Sequence, residues 1–336
     1  MKNQFIELYR FILILWIVAF HYTTRYSQLY PDFIEYPYEF NNGGNVGVFV
    51  FFIISGYFYA YSLNKIKLSN FVTTLKFIIN KYWRLFPAYL ISIILIFIII
   101  SIFGLEGRNS TILDLLGNLL IWHPYCDYID GAHWFIASLL EIQIIIAFIY
   151  FICKSNIKLT ICIPLFCLMF ICMLYARFDK TILEVFKPIL DMRNMLIFMT
   201  GMMIWLIDKE KVKSYFSIVV LFILTYFAYY GKNIYILLHT LIFVMFLGKQ
   251  FLEIKINPIF ITLGKVSFSW YLIHQNIGYI IITGLKSMGY TSEIFLLIPI
   301  IITLCLAFAI DYCSSKFPNK LLKNVKSTLS RENALN

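Results

Sequence analysis

Stretches of about 20 predominantly apolar residues recur from one end of this 336-residue chain to the other, and that recurrence limits its possible folds more than any motif does. A hydrocarbon layer about 30 Å thick takes roughly 20 apolar residues of helix to cross. Ten such segments are legible, at residues 5–23, 46–63, 82–103, 133–153, 158–175, 188–207, 214–230, 234–247, 258–283 and 294–314. Hydrophobic residues make up 61% of the chain and charged residues 14%, where a soluble domain carries about 25% charged residues. So much apolar surface cannot be hidden from water in a core of the chain's own. Inside a bilayer the backbone must satisfy its own hydrogen bonds, which selects helices for segments of this length. The expected fold class is therefore an all-α integral membrane protein, a bundle of about ten transmembrane helices. Residues 1–314 form its polytopic membrane domain and residues 315–336 a basic tail. The first apolar stretch contains Glu7 and Arg10 and is followed by no small-residue cleavage site. It reads as a retained helix, not a removable signal.

The net charge of +10 does not point to nucleic acid, because the basic residues lie in short segments between spans instead of on one folded face. Topology accounts for them. When alternate loops are assigned to opposite sides, more than half of the 28 lysines and arginines fall on the side of Lys2, the lysines of 64–81, Lys154, Lys158, the lysines of 208–213 and the tail. By the positive-inside rule both termini are cytoplasmic. The longest loops, about 24–45 and 104–132, then face outward. They carry Tyr26, Tyr30, Asp32, Glu35, Trp122, Tyr125, Asp127 and Asp130, a composition that suits sugars and equally suits a membrane interface. Six of the seven cysteines sit in or beside apolar segments, and no CxxC or metal-ligand spacing occurs. They read as small packing residues, and no metal or tightly bound organic cofactor is implied.

Ionisable groups inside a span cost several kcal/mol and are functional candidates by default. The first span has three. Arg10 and His21 are eleven residues apart, so at 100° per residue they return to within ~20° of one face, separated by ~16 Å along the axis. Glu7 lies one turn before Arg10 and can pair with it. Two readings fit: a cation and an imidazole lining one cavity, or an arginine that snorkels inward and a histidine that marks the outer end of the helix.

The wider pattern adds a resemblance. Arg10-x10-His21, followed by Gly43-Gly44-Asn45-Val46-Gly47 and the apolar run to Ser55-Gly56-Tyr57, resembles the opening of the membrane-bound acyltransferase-3 family. Lys81-Tyr82-Trp83-Arg84-Leu85-Phe86-Pro87-Ala88-Tyr89 is similar to that family's basic-x-x-Arg-x-x-Pro-x-Tyr segment, with Lys81 where an arginine is usual. Ser267-Phe268-Ser269-Trp270-Tyr271-Leu272-Ile273-His274 is similar to its late Ser-x-x-x-Tyr-Leu-x-His segment, and His133-Trp134-Phe135 to its Trp-Phe-Leu segment. The family moves acyl groups, commonly acetyl from acetyl-CoA, onto hydroxyls of glycans, lipids or other acceptors. The resemblance implies His21 as the catalytic histidine and Arg10 as its partner. Lys81 and Arg84 are implied to bind the acyl donor's phosphates, with Glu141 a further acidic candidate; Glu7, Tyr271 and His274 are possible members of the site. Positive-inside flanking explains Lys81 and Arg84 equally, and a hydrogen-bonded core residue is the competing reading of His274.

The expected function is transfer of an acyl group, most simply acetyl from acetyl-CoA as co-substrate. The acceptor is a hydroxyl of a cell-surface polysaccharide or its lipid-linked precursor. The expected setting is the cell membrane, the partners being the bilayer, acyl-CoA and the glycan acceptor. A histidine suits the work because its ordinary pKa near 6.5 lets it take a proton from a hydroxyl near neutral pH. The alternative from another class is a transporter or flippase for such a glycan, since buried ionisable residues also mark transport paths. Against it, no paired Gly/Pro-interrupted spans occupy corresponding halves.

Overall fold

The computed structural model describes residues 4–31, 43–108, 110–120, 127–177, 192–210 and 255–317. The spans expected at 214–230 and 234–247 and the tail beyond 317 lie outside the described residues. Everything regular among the described residues is helical. Helix α1 (Gln4–Phe20) continues through a π-helical turn at His21–Arg25 into α2 (Tyr26–Leu29), giving one 26-residue run. There follow α3 (Gly43–Leu63), α4 (Phe71–Phe103), α5 (Ile112–Leu119), α6 (Trp134–Ile152), α7 (Ile157–Arg177), α8 (Met192–Glu210), α9 (Pro258–Ser287) and α10 (Leu297–Ser315). Among the described residues, five helical runs are long and apolar enough to cross a membrane.

Helix α4 begins eleven residues before the apolar span expected at 82. A reciprocal cap starts it: Asn70 Oδ1 accepts the N–H of Thr73 at 2.9 Å and Thr73 Oγ1 accepts the N–H of Asn70 at 3.2 Å. Such caps satisfy orphan donors of a first turn. Lys81 and Arg84 therefore sit a third of the way along a 33-residue helix, not at its start. Farther on, Ile94, Ile98 and Ile102 are 42%, 48% and 68% exposed at four-residue spacing. An open isoleucine stripe on a helix is a lipid-facing surface, and Ile298, Ile301 and Ile302 continue the theme on α10.

The helices divide into two units. In the first (1–48, 84–137 and 249–317), α1 packs along α9, and α9 along α10. Glycine makes the α1 and α9 contact possible, because a Cβ on Gly264 would collide with the main chain of Glu7. Gly264→Val is expected to destabilise the fold by about 1–3 kcal/mol or more through overpacking. Gly284→Ala, whose Cβ would meet nothing within 4 Å, should be neutral or slightly stabilising. Thermal unfolding of the two variants in detergent, followed by size exclusion, checks the contrast. Toward α10, Thr303 Oγ1 gathers Trp270 Nε1 at 3.0 Å and Tyr22 Oη at 3.2 Å while bonding the Pro299 carbonyl at 2.6 Å.

The second unit (49–83, 138–248 and 318–336) holds the main parts of α3, α6 and α8. Gly56 and Gly201 let α3 and α8 meet backbone to backbone, at Phe198 and Ile53 respectively. Tyr59 lies between the rings of Phe77 and Phe198 and donates to the Gln143 carbonyl. Tyr150 donates to the carbonyls of Leu63 and Ile66, tying α6 to the turn after α3.

Candidate active site

One end of the first unit is built around the π-turn. A π-turn inserts one residue into the α-helical ladder and is common at functional sites. Side-chain hydroxyls add bonds along it: Thr23 Oγ1 donates to Ala19 O at 2.6 Å and Ser27 Oγ to Thr23 O at 3.0 Å. At its first position, His21 is half-buried and faces α9. Its Nδ1 lies 2.9 Å from the Tyr279 hydroxyl, and its ring meets that of His274 edge-on, with centroids 4.9 Å apart.

The protonation of His274 follows from its partner. Nδ1 lies 2.7 Å from the carbonyl oxygen of Tyr271, and a carbonyl only accepts, so Nδ1 carries the proton. The lone pair of the neutral ring is then on Nε2, which is buried and has no hydrogen-bond partner among the described residues. Two imidazoles thus share one buried position, one of them presenting an unused acceptor.

Residues 129–133 fasten the turn of α9 that carries His274. Asp130 is fully buried, and its carboxylate accepts the N–H of Ala132 at 2.9 Å and the N–H of Asn276 at 3.0 Å. Asn276 Nδ2 donates to the Ile129 carbonyl at 2.7 Å, Tyr271 Oη to the Ala132 carbonyl at 2.7 Å, and His133 Nε2–H to the Leu272 carbonyl at 2.9 Å. From the other side, Tyr22 Oη donates to the His274 carbonyl at 2.8 Å. Asn118, also fully buried, ties α5 to residues 127–129 through the carbonyl of Asp127 and the N–H of Ile129.

Arg84 on α4 belongs to the same unit. Toward the other end of α1 stands an ion pair, Arg10 Nη1 lying 3.5 Å from Glu7 Oε2. A cleft of about 350 Å³ opens beside them, lined by Gln4, Glu7, Pro258, Ile261, Thr262 and Lys265. Because α1 is regular from Gln4 to Phe20, the eleven-residue separation of Arg10 and His21 corresponds to about 16 Å of helix.

A family profile described as an acyltransferase domain matches residues 3–310, more than nine-tenths of the chain. The chain belongs to the acyltransferase-3 family. Searches of curated proteins and of solved structures returned no match. Membership makes the protein an acyltransferase, and the five long apolar helices among the described residues make it a multi-pass membrane protein.

Of the residues singled out in the sequence, the acyltransferase-3 chain brings His21, Tyr271 and His274 together at one end of the first unit and pairs Glu7 with Arg10 toward the other, with Arg84 in the same unit. Lys81 belongs to the second unit, where its ammonium stands 5.1 Å from the ring centres of Tyr59 and of Phe77. Glu141, half-buried on α6, also belongs to the second unit. Among the described residues no group of three or more histidines, cysteines or acids has metal-binding geometry. Two members of the cluster around His21 and His274 were not singled out for chemistry by sequence: Asp130, grouped there with the loop acids, and Tyr279. Asp130 had one legible signal, its position as N-cap of the 3₁₀ turn Gly131–His133. For Tyr279 the only signal was a phenol within a span, which says nothing about its partner.

Proposed function

We propose that the protein is an O-acyltransferase with His21 as general base, moving acetyl from acetyl-CoA to a hydroxyl of a cell-surface polysaccharide or its lipid-linked precursor. The observation that carries this reading is His21 itself, an imidazole bonded through Nδ1 and packed against a second histidine, on a membrane helix that also carries the Arg10 and Glu7 pair. The acceptor oxygen attacks the thioester carbonyl carbon as His21 Nε2 removes its proton. The C–O bond forms, the C–S bond breaks, and the departing thiolate recovers the proton from Nε2. Products are the ester and free CoA thiol.

The anionic end of the donor belongs at Arg10 and Arg84. The thioester and the phosphates of CoA are joined by a long flexible arm, which suits groups about 16 Å apart on one helix. A helix crossing the bilayer between a cytoplasmic donor and an outward acceptor meets both. The same reading takes the chain as a ten-span bundle in the cell membrane with both termini cytoplasmic, His21 toward the outer face and Arg10 toward the inner.

Arg84→Gln is expected to raise the KM for acetyl-CoA several-fold and to leave kcat within about twofold. Loss of one charge-assisted phosphate contact removes binding shared by ground and transition states. Initial rates against acetyl-CoA concentration at two salt concentrations check it, the defect being larger at low salt.

The function is tested in cells by His21→Ala at wild-type membrane levels, with analysis of the surface glycan for esters. Loss of esters on a glycan that is still exported supports the transferase. Loss of the glycan itself supports a flippase, and unchanged esters overturn the role of His21.

A further inference from the structure

We propose that Tyr279 is a positioning residue for His21: its phenol oxygen accepts the Nδ1–H of the imidazole and fixes the tautomer whose Nε2 lone pair takes the acceptor's proton. This rests on the acyl-transfer reading and names the residue that makes His21 a competent base.

Three observations carry it. The contact is direct, at 2.9 Å, and among the described residues no carboxylate pairs with His21. The phenol is also immobilised. Tyr279 is fully buried, and its ring meets those of Tyr26 and Tyr30 with centroids 5.5 and 6.0 Å away. Those two rings are themselves held, Tyr26 Oη being 3.0 Å from Thr283 Oγ1 and Tyr30 Oη bonding the Glu106 carbonyl at 3.1 Å. Finally, the π-turn begins at His21, and the imidazole meets both His274 and Tyr279, five residues apart along α9. That separation is ~7.5 Å of helix axis.

The hydrogen-bond chemistry gives the direction. A neutral imidazole has one donor and one acceptor nitrogen, and a phenol can serve either. If Tyr279 donated to Nδ1, the proton would sit on Nε2 and the ring could not receive another there. With Nδ1–H donating to the phenol oxygen, Nε2 is the base. Once Nε2 is protonated, both nitrogens are donors and the Tyr279 oxygen remains a matched acceptor. The orienting role is commonly filled by a buried carboxylate, but an added negative charge within a span is costly. A phenol supplies the acceptor without the charge.

The test uses full-length protein in native membrane vesicles, which retain the acceptor, with release of CoA thiol from acetyl-CoA as the readout. Tyr279→Phe keeps the ring and removes only the hydroxyl. Its maximal rate per molecule of protein is expected to fall about tenfold or more, with the KM for acetyl-CoA unchanged. Nitrogen NMR of histidine-labelled protein, with the His21 signals assigned by their loss in His21→Gln, is expected to show Nδ1–H in the wild type and a tautomer mixture in Tyr279→Phe. A wild-type rate for Tyr279→Phe, a defect confined to KM, or an unchanged His21 tautomer would overturn the positioning role. If His21→Gln itself retains full activity, the failure lies in the acyl-transfer reading at His21.

Discussion

Replacement of His21 by glutamine is expected to lower the turnover of acyl transfer by about 10²–10⁴-fold, the range lost with a positioned general base. The KM for acetyl-CoA should change little, because Arg10, at the end proposed to bind the donor, lies about three turns away on the same helix. Glutamine keeps a polar side chain of similar length, and its amide can still meet the Tyr279 hydroxyl, so the local packing survives. It cannot take the proton. Single-turnover rates of CoA thiol release, compared at equal amounts of folded protein, measure the effect. A residual rate above the uncatalysed reaction is expected, since proximity of donor and acceptor persists without the base. A loss in KM alone would mean that the imidazole binds substrate and does not move its proton.

The second large effect is expected at Asp130, which touches no candidate substrate group and acts through the main chain. Its carboxylate accepts two backbone N–H groups, of Ala132 and Asn276, in a fully buried position. Asp130→Ala leaves both donors without their acceptor, at about 1–3 kcal/mol each. Asp130→Asn is nearly isosteric but still wrong, because its NH₂ group must face one of the two N–H donors. We expect Asp130→Ala to destabilise the protein by about 2–5 kcal/mol and Asp130→Asn by less. Both should slow turnover at least tenfold, because the α9 turn bearing His274 is no longer fastened to residues 129–133. Thermal unfolding in detergent and rates at saturating acetyl-CoA separate the two consequences. Wild-type stability in Asp130→Ala would show that water replaces the carboxylate at no cost.

The helical class was legible because hydropathy reports the solvent directly. Boundaries were less so wherever a cap, not an apolar run, starts the helix. Residues 71–81 carry Lys76 and Lys81 and fail a hydropathy window, yet Asn70 and Thr73 cap a helix there. In the site, the eleven-residue spacing of Arg10 and His21 and the late segment with Tyr271 and His274 were readable, and the first unit brings His21 against His274. Tyr279 was not readable, since its contact depends on how α1 is rotated on α9 and on a π-turn that no local pattern announced. Glu141 follows a tryptophan in sequence and belongs to the second unit. The acid that fastens the His274 turn is Asp130, four residues before that tryptophan and outside the apolar span.

Three of the clamps on α9 grip its peptide units: Tyr22 holds the carbonyl of His274, His133 that of Leu272, and Asp130 the N–H of Asn276. Those three contacts do not depend on which side chain the gripped residue carries. An exchange at position 272 therefore leaves its carbonyl available to His133, whereas loss of the Tyr22, His133 or Asp130 side chain removes a clamp outright.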